Sequence, residues 1–257
     1  MSVRKSAARW PAGVIAPGIA MLVVFVSLLG LGKWQLDRKV WKENLIATLT
    51  ERLAAAPSEL PSRERWRSLD QNADEYRRVH FTAEILPGEE ALVFTSGSAF
   101  RPDVSGPGYW VFMPARLPDG GVVVVNRGFI PEGQQHKIGS REGGSGAKLD
   151  IVGVIRWPET PAWYTPAADP VHNLWFVRDP LAIAQAKNWG DVAPFFIEME
   201  SPVPAGGLPI PGVLKVNLPD DHLQYAITWF GLATVVAVSF GYWLWSRWRT
   251  PHGAPIR

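Results

Sequence analysis

The chain has 257 residues and a formal net charge of only +2, so it lacks the basic surface by which nucleic-acid partners are bound. It contains no cysteine, which excludes disulfides, thiolate catalysis and cysteine-ligated metal centres. Hydrophobic residues make up 47% of the chain and thirteen residues are tryptophan. Several tryptophans lie near the ends of apolar stretches, as in the aromatic belt of a membrane protein.

The N-terminal segment predicts a membrane anchor. Residues 1–10 are basic and residues 11–32 carry no charge, which is long enough to cross a bilayer as a helix. The alternative is a cleaved signal peptide, but no small-x-small cleavage site follows the apolar stretch. We therefore predict a cytoplasmic segment over 1–10 and an uncleaved membrane helix over 11–32. No long presequence rich in arginine and serine precedes it, so we expect a bacterial protein rather than a mitochondrial precursor.

Residues 33–56 read as a helix that continues out of the membrane. Trp34, Trp41, Leu45 and Leu49 are spaced 7, 4 and 4, which places them on one helix face. Such a helix either lies at the membrane surface or packs on the core of the next domain. The sequence leaves both interpretations open.

The middle of the chain predicts a β-rich domain, because short apolar stretches alternate with turn residues. The predicted strands are 79–86, 91–95, 109–117, 122–130, 149–156, 174–177, 195–200 and 213–218, and a helix is predicted over 180–189. The turn 118–121 (PDGG) predicts a hairpin, while 57–75 and the glycine-rich 132–147 read as connectors. Six to eight short strands of this kind indicate a barrel or a sandwich.

A second membrane helix is predicted over 223–246, since residues 226–245 carry no charge. Basic residues follow it in the tail 247–257, so the positive-inside rule places both chain ends in the cytoplasm and residues 33–222 in the periplasm. The fold class is thus an α+β membrane protein with two membrane helices flanking an external, mostly β domain. Ala233, Ala237 and Gly241 recur every four residues, a spacing that lets two helices approach closely.

Catalytic motifs are not visible in the sequence. Glu198 and Glu200 face the same way on a predicted strand, and paired carboxylates can perform acid–base chemistry, although such a pair more often forms a solvated strand face. Arg127 ends an apolar strand; it could bind a carboxylate ligand, but a structural role towards loop carbonyls is the favoured interpretation. No nucleophile–base pair appears, so an enzyme is not expected.

His222 is the candidate metal ligand. His222, Tyr225 and Trp229 recur at i, i+3 and i+7 at the mouth of the second membrane helix, which predicts one face carrying an imidazole, a phenol and an indole. Neutral imidazole is a common ligand of haem iron. The alternative is an interfacial histidine with a role only at the helix end.

Five segments together resemble the Surfeit-locus-one (Shy-one) family of cytochrome c oxidase assembly factors. They are 31–38 (LGKWQLDR), 108–114 (GYWVFMP), 125–131 (VNRGFIP), 173–179 (NLWFVRD) and 222–231 (HLQYAITWFG). The resemblance implies two membrane helices around an external β domain. It also implies a non-enzymatic role in which haem A is bound and inserted into subunit I of an aa3-type oxidase, with haem A synthase as a further partner.

The resemblance assigns roles to particular residues. It implies that His222 is the haem-iron ligand and that Trp34, Arg38, Tyr225 and Trp229 belong to the same site. Arg127 is a further candidate that would neutralise a propionate from the β domain. A scaffold that stabilises subunit I without binding haem remains the alternative.

Overall fold

Two long helices frame a β-rich domain, which confirms the predicted fold class. The computed structural model describes residues 12–86, 90–98, 100–138 and 148–249. The predicted cytoplasmic segment 1–10, most of the glycine-rich loop and the end of the tail lie outside these residues. The chain divides into two compact units. We call Ile46–Leu218 the β domain, and the two stretches Met1–Leu45 and Pro219–Arg257 together the helical unit.

The first helix, α1, runs without a break over Ala12–Ala54, so the predicted continuation beyond the apolar stretch is confirmed. Its first part is apolar, and its later part is charged. Near its end Leu49 and Leu53 are buried, at 5% and 8% exposure, and Leu53 packs with Val154 and Leu214 of the β domain. That end of α1 therefore packs on a core, whereas Trp34 and Trp41 remain about half exposed.

The last helix, α4, covers His222–Arg249. Both α1 and α4 contain stretches long and apolar enough to cross a membrane, within Val14–Ala54 and His222–Arg249. Only 6% of the most apolar stretch of each helix is buried. A core helix of a globular domain would be mostly covered, so this exposure favours lipid as the surrounding medium.

A closed barrel of five strands forms the centre of the β domain. The strands are β1 (Ser58–Glu59), β2 (Arg78–Ile85), β3 (Ala91–Gly97), β4 (Ser105–Arg116), β5 (Val122–Pro131), β6 (Lys148–Arg156), β7 (Leu174–Trp175) and β8 (Val192–Ser201). The ring order is β2–β6–β8–β5–β4, and β4 returns to β2 through the pairs Glu84–Arg116 and Ile85–Ala115. β3 and β7 extend from β4, and β1 adds to β2. The predicted hairpin is confirmed as the antiparallel pair β4–β5.

The interior of the barrel is filled by apolar side chains that alternate along its strands. They include Val79, Val123, Val125, Ile151, Phe195 and Ile197. Trp66 joins this core at 5% exposure, and its indole Nε1–H donates to the carbonyl oxygen of Pro61 at 2.8 Å. The expectation that 57–75 is an unstructured connector is wrong, because this segment contains a 3-10 helix over Arg63–Ser68 and the short helix α2 (Gln71–Asp74).

A second core lies on the other side of the sheet, beneath α3 (Pro180–Lys187). Ile183 of α3 packs there with Val93, Phe112 and Phe196. Asp179 caps α3 by accepting from the backbone N–H groups of Leu181 and Ala182, as expected for an aspartate at a helix N-cap.

The predicted strand over 213–218 is wrong. This segment has no regular secondary structure, because its apolar side chains cover the barrel individually instead of joining a ladder. Leu214 is 3% exposed in the cluster with Leu53. The nearest strand-like pairing is the isolated bridge between Ile210 and Phe129.

Candidate functional site

The site is built where α1 and α4 meet within the helical unit. The helices run antiparallel, since Gly18 lies beside Phe240, Gly32 beside Phe230 and Gln35 beside His222. The buried and half-buried residues of α4 recur at spacings of four and three, as in a coiled-coil seam. The residues in this repeat are His222, Ala226, Trp229, Ala233, Val236, Phe240 and Trp243, and we call this line the seam; Phe230, Leu244 and Ser246 are half-buried outside it.

The small residues at the contact between the two helices are not the predicted set spaced by four. Ala233 is buried at 2% exposure, but Ala237 and Gly241 are exposed. The other buried small residue is Ala226, at 1%, so the small residues of the seam are seven positions apart. A repeat of seven keeps the same face of a helix towards its partner, whereas successive steps of four drift around it.

Gly32 permits close contact between the two helices. A Cβ atom built on Gly32 would lie 2.6 Å from Cε1 of Phe230, far inside van der Waals contact. The ring of Phe230 therefore occupies the space that any side chain at position 32 would need. This contact brings together the helix levels at which Gln35 and His222 lie.

His222 is the first residue of α4 and is held from two sides. Its backbone N–H donates to Oδ1 of Asp220 at 3.1 Å. Its ring atom Nδ1 lies 2.7 Å from Oε1 of Gln35. In the described part of the chain, no side chain or carbonyl is recorded as a hydrogen-bond partner of Nε2, so that ring nitrogen is available to a ligand.

His222, Tyr225 and Trp229 were predicted to share one helix face, but in the structure Tyr225 lies away from the other two. Trp229 lies on the seam with His222 and is half-buried, whereas Tyr225 is 56% exposed. Three residues turn a helix by about 300°, so Tyr225 lies about 60° to one side of the seam. Trp34 is similarly 53% exposed.

Helix geometry nevertheless places Trp34, Arg38 and Tyr225 on one flank of the helix pair. Trp34 and Arg38 lie about 100° and 60° around α1 from Gln35, in the same rotational sense. The sense reverses in an antiparallel partner, so Tyr225 turns towards that same flank. Phe230 covers Gly32 on the opposite flank. We call the side that carries Trp34, Arg38 and Tyr225 the aromatic flank.

Arg38 differs from the cations near it. Lys33 pairs with Asp37 at 2.6 Å and Lys39 pairs with Glu43. The guanidinium of Arg38 instead lies over the indole of Trp41, at 4.2 Å from the ring centroid. Among the described residues no acidic partner of Arg38 is recorded, so it can pair with an anion brought to the aromatic flank.

Arg127 lies on β5 inside the β domain and is 8% exposed. Its Nη1 atom is 3.7 Å from the sulfur of Met113. Neither this contact nor the burial tests the predicted role towards loop carbonyls.

The expected solvated face of Glu198 and Glu200 is wrong, because both side chains are buried, at 1% and 8% exposure. Glu198 accepts from Nη1 of Arg178 at 3.2 Å and from the Asn126 amide at 3.1 Å. Glu200 pairs with Arg78 at 2.7 Å. Both carboxylates are therefore paired with an arginine inside the β domain.

Gln35 and Gly32 were missed by sequence reasoning. The available signal was their spacing, since Gly32, Gln35, Lys39 and Lys42 recur at steps of three and four and are all less exposed than their neighbours. Sequence reasoning gave weight to the aromatic and charged residues of the same motif instead. The described residues contain no group of three or more His, Cys, Asp or Glu side chains that could hold a metal ion.

Comparison with known proteins gives matches over most of the chain. A model of the SURF1 family matches residues 22–234, which include both Gln35 and His222. The chain is 32% identical to Surfeit locus protein 1 of Homo sapiens over 230 residues, covering 84% of this chain and 74% of the human protein. It is 33% identical to a SURF1-like protein of Monosiga brevicollis, with 89% and 86% covered. A SURF1-like protein of Drosophila melanogaster is 34% identical, with 91% and 78% covered.

Proposed function

Because this chain belongs to the SURF1 family, we propose that it binds haem A and aids the insertion of haem A into subunit I of an aa3-type cytochrome c oxidase. It acts as a chaperone without turnover, anchored in the bacterial inner membrane with its β domain in the periplasm. Subunit I and haem A synthase are its partners in this role. The oxidase would gain its redox centre from the haem, while this chain binds and orients the group.

The observation that carries the proposal is the state of His222. The residue begins a candidate membrane helix, its Nδ1 is engaged by Gln35 at 2.7 Å, and its Nε2 has no recorded partner among the described residues. A histidine that donates from one ring nitrogen and presents the other is the usual arrangement of a metal ligand. His222 would therefore be the residue that ligates the haem iron.

The surrounding side chains fit the remainder of the group. Trp34 and Tyr225 offer flat surfaces on the aromatic flank, at 53% and 56% exposure, and Arg38 offers a guanidinium to a propionate. Because Trp34 and Tyr225 are about half exposed, they would cover a bound haem on one side only. Such partial cover suits a carrier that must release haem to another protein. Arg127 lies in the β domain and is buried, and its predicted part in binding a propionate stays a prediction.

The test compares haem content in purified full-length protein from a host that makes haem A. We expect a Soret band from the wild type and a loss of about tenfold or more in His222→Ala, since the axial bond is removed. His80→Ala is the matched control, because His80 is an exposed histidine of β2. Haem content in His222→Ala equal to that of the wild type would refute ligation by His222.

The scaffold alternative gives a different result in the same experiment. It predicts that the wild type carries no haem, yet still co-purifies with subunit I. Haem-free wild type that retains subunit I would replace the haem-binding proposal by the scaffold.

A further inference from the structure

The hydrogen bond between Gln35 and His222 defines where the imidazole proton resides. It joins side chains 187 residues apart in the chain, at an Nδ1–Oε1 distance of 2.7 Å, and it is partly buried. With Oε1 of Gln35 facing the ring, as the structure has it, the amide oxygen accepts and Nδ1 is the donor. A neutral ring with its proton on Nδ1 carries its lone pair on Nε2.

We propose that Gln35 is a positioning residue that holds His222 in the tautomer and orientation needed for ligation through Nε2. The consequence for haem rests on the proposed function, whereas the tautomer is a property of this chain alone. In the other tautomer Nε2 carries the proton and cannot bind a metal.

The surrounding contacts give the Gln35 amide a fixed place from which to act. Phe230 packed on Gly32 sets the approach of the helices one turn below Gln35. The bond from the His222 N–H to Asp220 fixes the first turn of α4. Above the pair, the ammonium group of Lys42 donates to the carbonyl oxygen of Pro219, which ties α1 to the residues that lead into α4.

A carboxamide is well suited to this role at the membrane boundary. Glutamine accepts a hydrogen bond without bringing a charge, so the contact does not depend on the ionisation of its acceptor. A carboxylate in the same place would attract the proton of Nδ1 more strongly and make the ring a stronger electron donor. Gln35 thus fixes the tautomer, and an iron–histidine bond formed by this ring would be weaker than one supported by a carboxylate. A weaker bond suits reversible binding.

The first measurement reads the tautomer directly and requires no haem. The full-length chain, labelled with 15N-histidine and embedded in lipid nanodiscs, gives ring-nitrogen chemical shifts that distinguish protonated from unprotonated Nδ1 and Nε2. His222 is assigned by comparison with His222→Ala among the five histidines. We expect a protonated Nδ1 in the wild type and in Gln35→Glu, and a mixture of tautomers in Gln35→Leu.

The control is Gln224→Leu, which makes the same change at an exposed position of the first turns of α4 and should leave the shifts unchanged. Helix content by circular dichroism identifies a Gln35→Leu variant that fails to fold. In that case Gln35→Glu, which keeps the acceptor, and Gln35→Asn, which shortens it, carry the comparison. Shifts of His222 that are the same in the wild type and in the folded variants lacking the acceptor would overturn the proposal.

The second measurement is haem titration of the same proteins. Affinity should fall roughly 10- to 100-fold in Gln35→Leu, as for loss of a contact that orients a metal ligand, and Gln35→Glu should restore it with a more negative reduction potential. If the tautomer changes but affinity does not, Gln35 has no positioning role in ligation. If the wild type binds no haem, the proposed function fails, and the tautomer measurement still decides whether Gln35 controls the His222 ring.

Discussion

Several buried charged residues of the β domain are paired with a residue of opposite charge. The guanidinium of Arg178 lies 2.5 Å from Glu159 and 3.2 Å from Glu198. Burial raises the pKa of Glu159, but the hydrogen bonds and charge of Arg178 outweigh that effect and hold the pKa below its usual range. Burial by itself would lower the pKa of Arg178. The charge of Glu198 and the contacts with Glu159 outweigh burial, so the pKa lies above its usual value. Loss of the arginine would leave two uncompensated carboxylates, which is strongly destabilising.

This pairing predicts how stability depends on pH. The pKa of Glu159 is lower in the folded protein than in the unfolded chain, where it is about 4.3. Its ionised form therefore stabilises the fold above about pH 4.3, and this contribution disappears as the pH falls through the folded-state pKa. We expect Glu159→Gln to lower the free energy of unfolding by about 1 kcal/mol near pH 7, and we expect the difference from the wild type to shrink as the pH falls through the folded-state pKa of Glu159.

Urea titrations of full-length protein in detergent at several pH values would measure this convergence. Asp191→Asn serves as the comparison, because the Asp191–Arg63 pair is largely exposed, with side-chain exposures of 75% and 46%, and should contribute little. A constant difference between wild type and Glu159→Gln from pH 7 to pH 3 would show that the carboxylate charge does not stabilise the fold.

Two elements, α1 and α4, create the candidate site by their mutual approach. In two contacts between these helices an aromatic ring packs against a glycine, Phe240 on Gly18 and Phe230 on Gly32. Such contacts supply the close packing that holds helices together in a membrane, where lipid tails are as apolar as the side chains. The distance between Gln35 and His222 depends on this approach.

Gly32→Leu should therefore separate the helices and break the Gln35–His222 contact, because the new side chain would occupy the place of the Phe230 ring. The chain has no cysteine, so spin labels can be introduced at Val24→Cys and Val238→Cys, which are 46% and 67% exposed. We expect a longer interspin distance in Gly32→Leu than in the otherwise unchanged protein.

The control for this change is Gly241→Leu, since nothing lies within 4 Å of a Cβ built there. It should leave the interspin distance unaltered. The same lengthening in both variants would mean that bulk in the membrane, and not the ring of Phe230, separates the helices.

At the scale of the whole molecule, the β domain is bounded on both sides by candidate membrane helices. α1 enters it as a continuous helix, and only residues 219–221 separate Leu218 from α4. If both helices span the membrane, the chain ends lie on one side and the domain on the other. The proposed orientation puts the ends in the cytoplasm, because arginines lie at the end of α4.

This topology predicts opposite labelling of two single cysteines. Val171→Cys lies in the β domain at a position that is 89% exposed, and Trp248→Cys lies at the end of α4 at a position that is 74% exposed. In intact bacterial cells a membrane-impermeant maleimide should label the first, and it should label the second only after the inner membrane is permeabilised. The reverse pattern would invert the proposed orientation.

The sequence by itself determined the elements whose signal is local. Two uncharged stretches predicted the spans, the turn 118–121 predicted the β4–β5 hairpin, and alternation predicted most strands. Five segments in order, the last of which contains His222, predicted the family. These features depend on neighbouring residues and on helix or strand periodicity, which a linear sequence displays directly.

Only the tertiary structure decided the contacts between distant residues. Closure of the barrel through Glu84 and Arg116, and the burial of Glu198 against Arg178, depend on partners that no local pattern specifies. The same holds for His222. Its ring is hydrogen-bonded to Gln35, and not to Trp34, which precedes Gln35 in the sequence. Periodicity gives the angle of a side chain around its own helix, but the partner is decided by how two helices pack against each other.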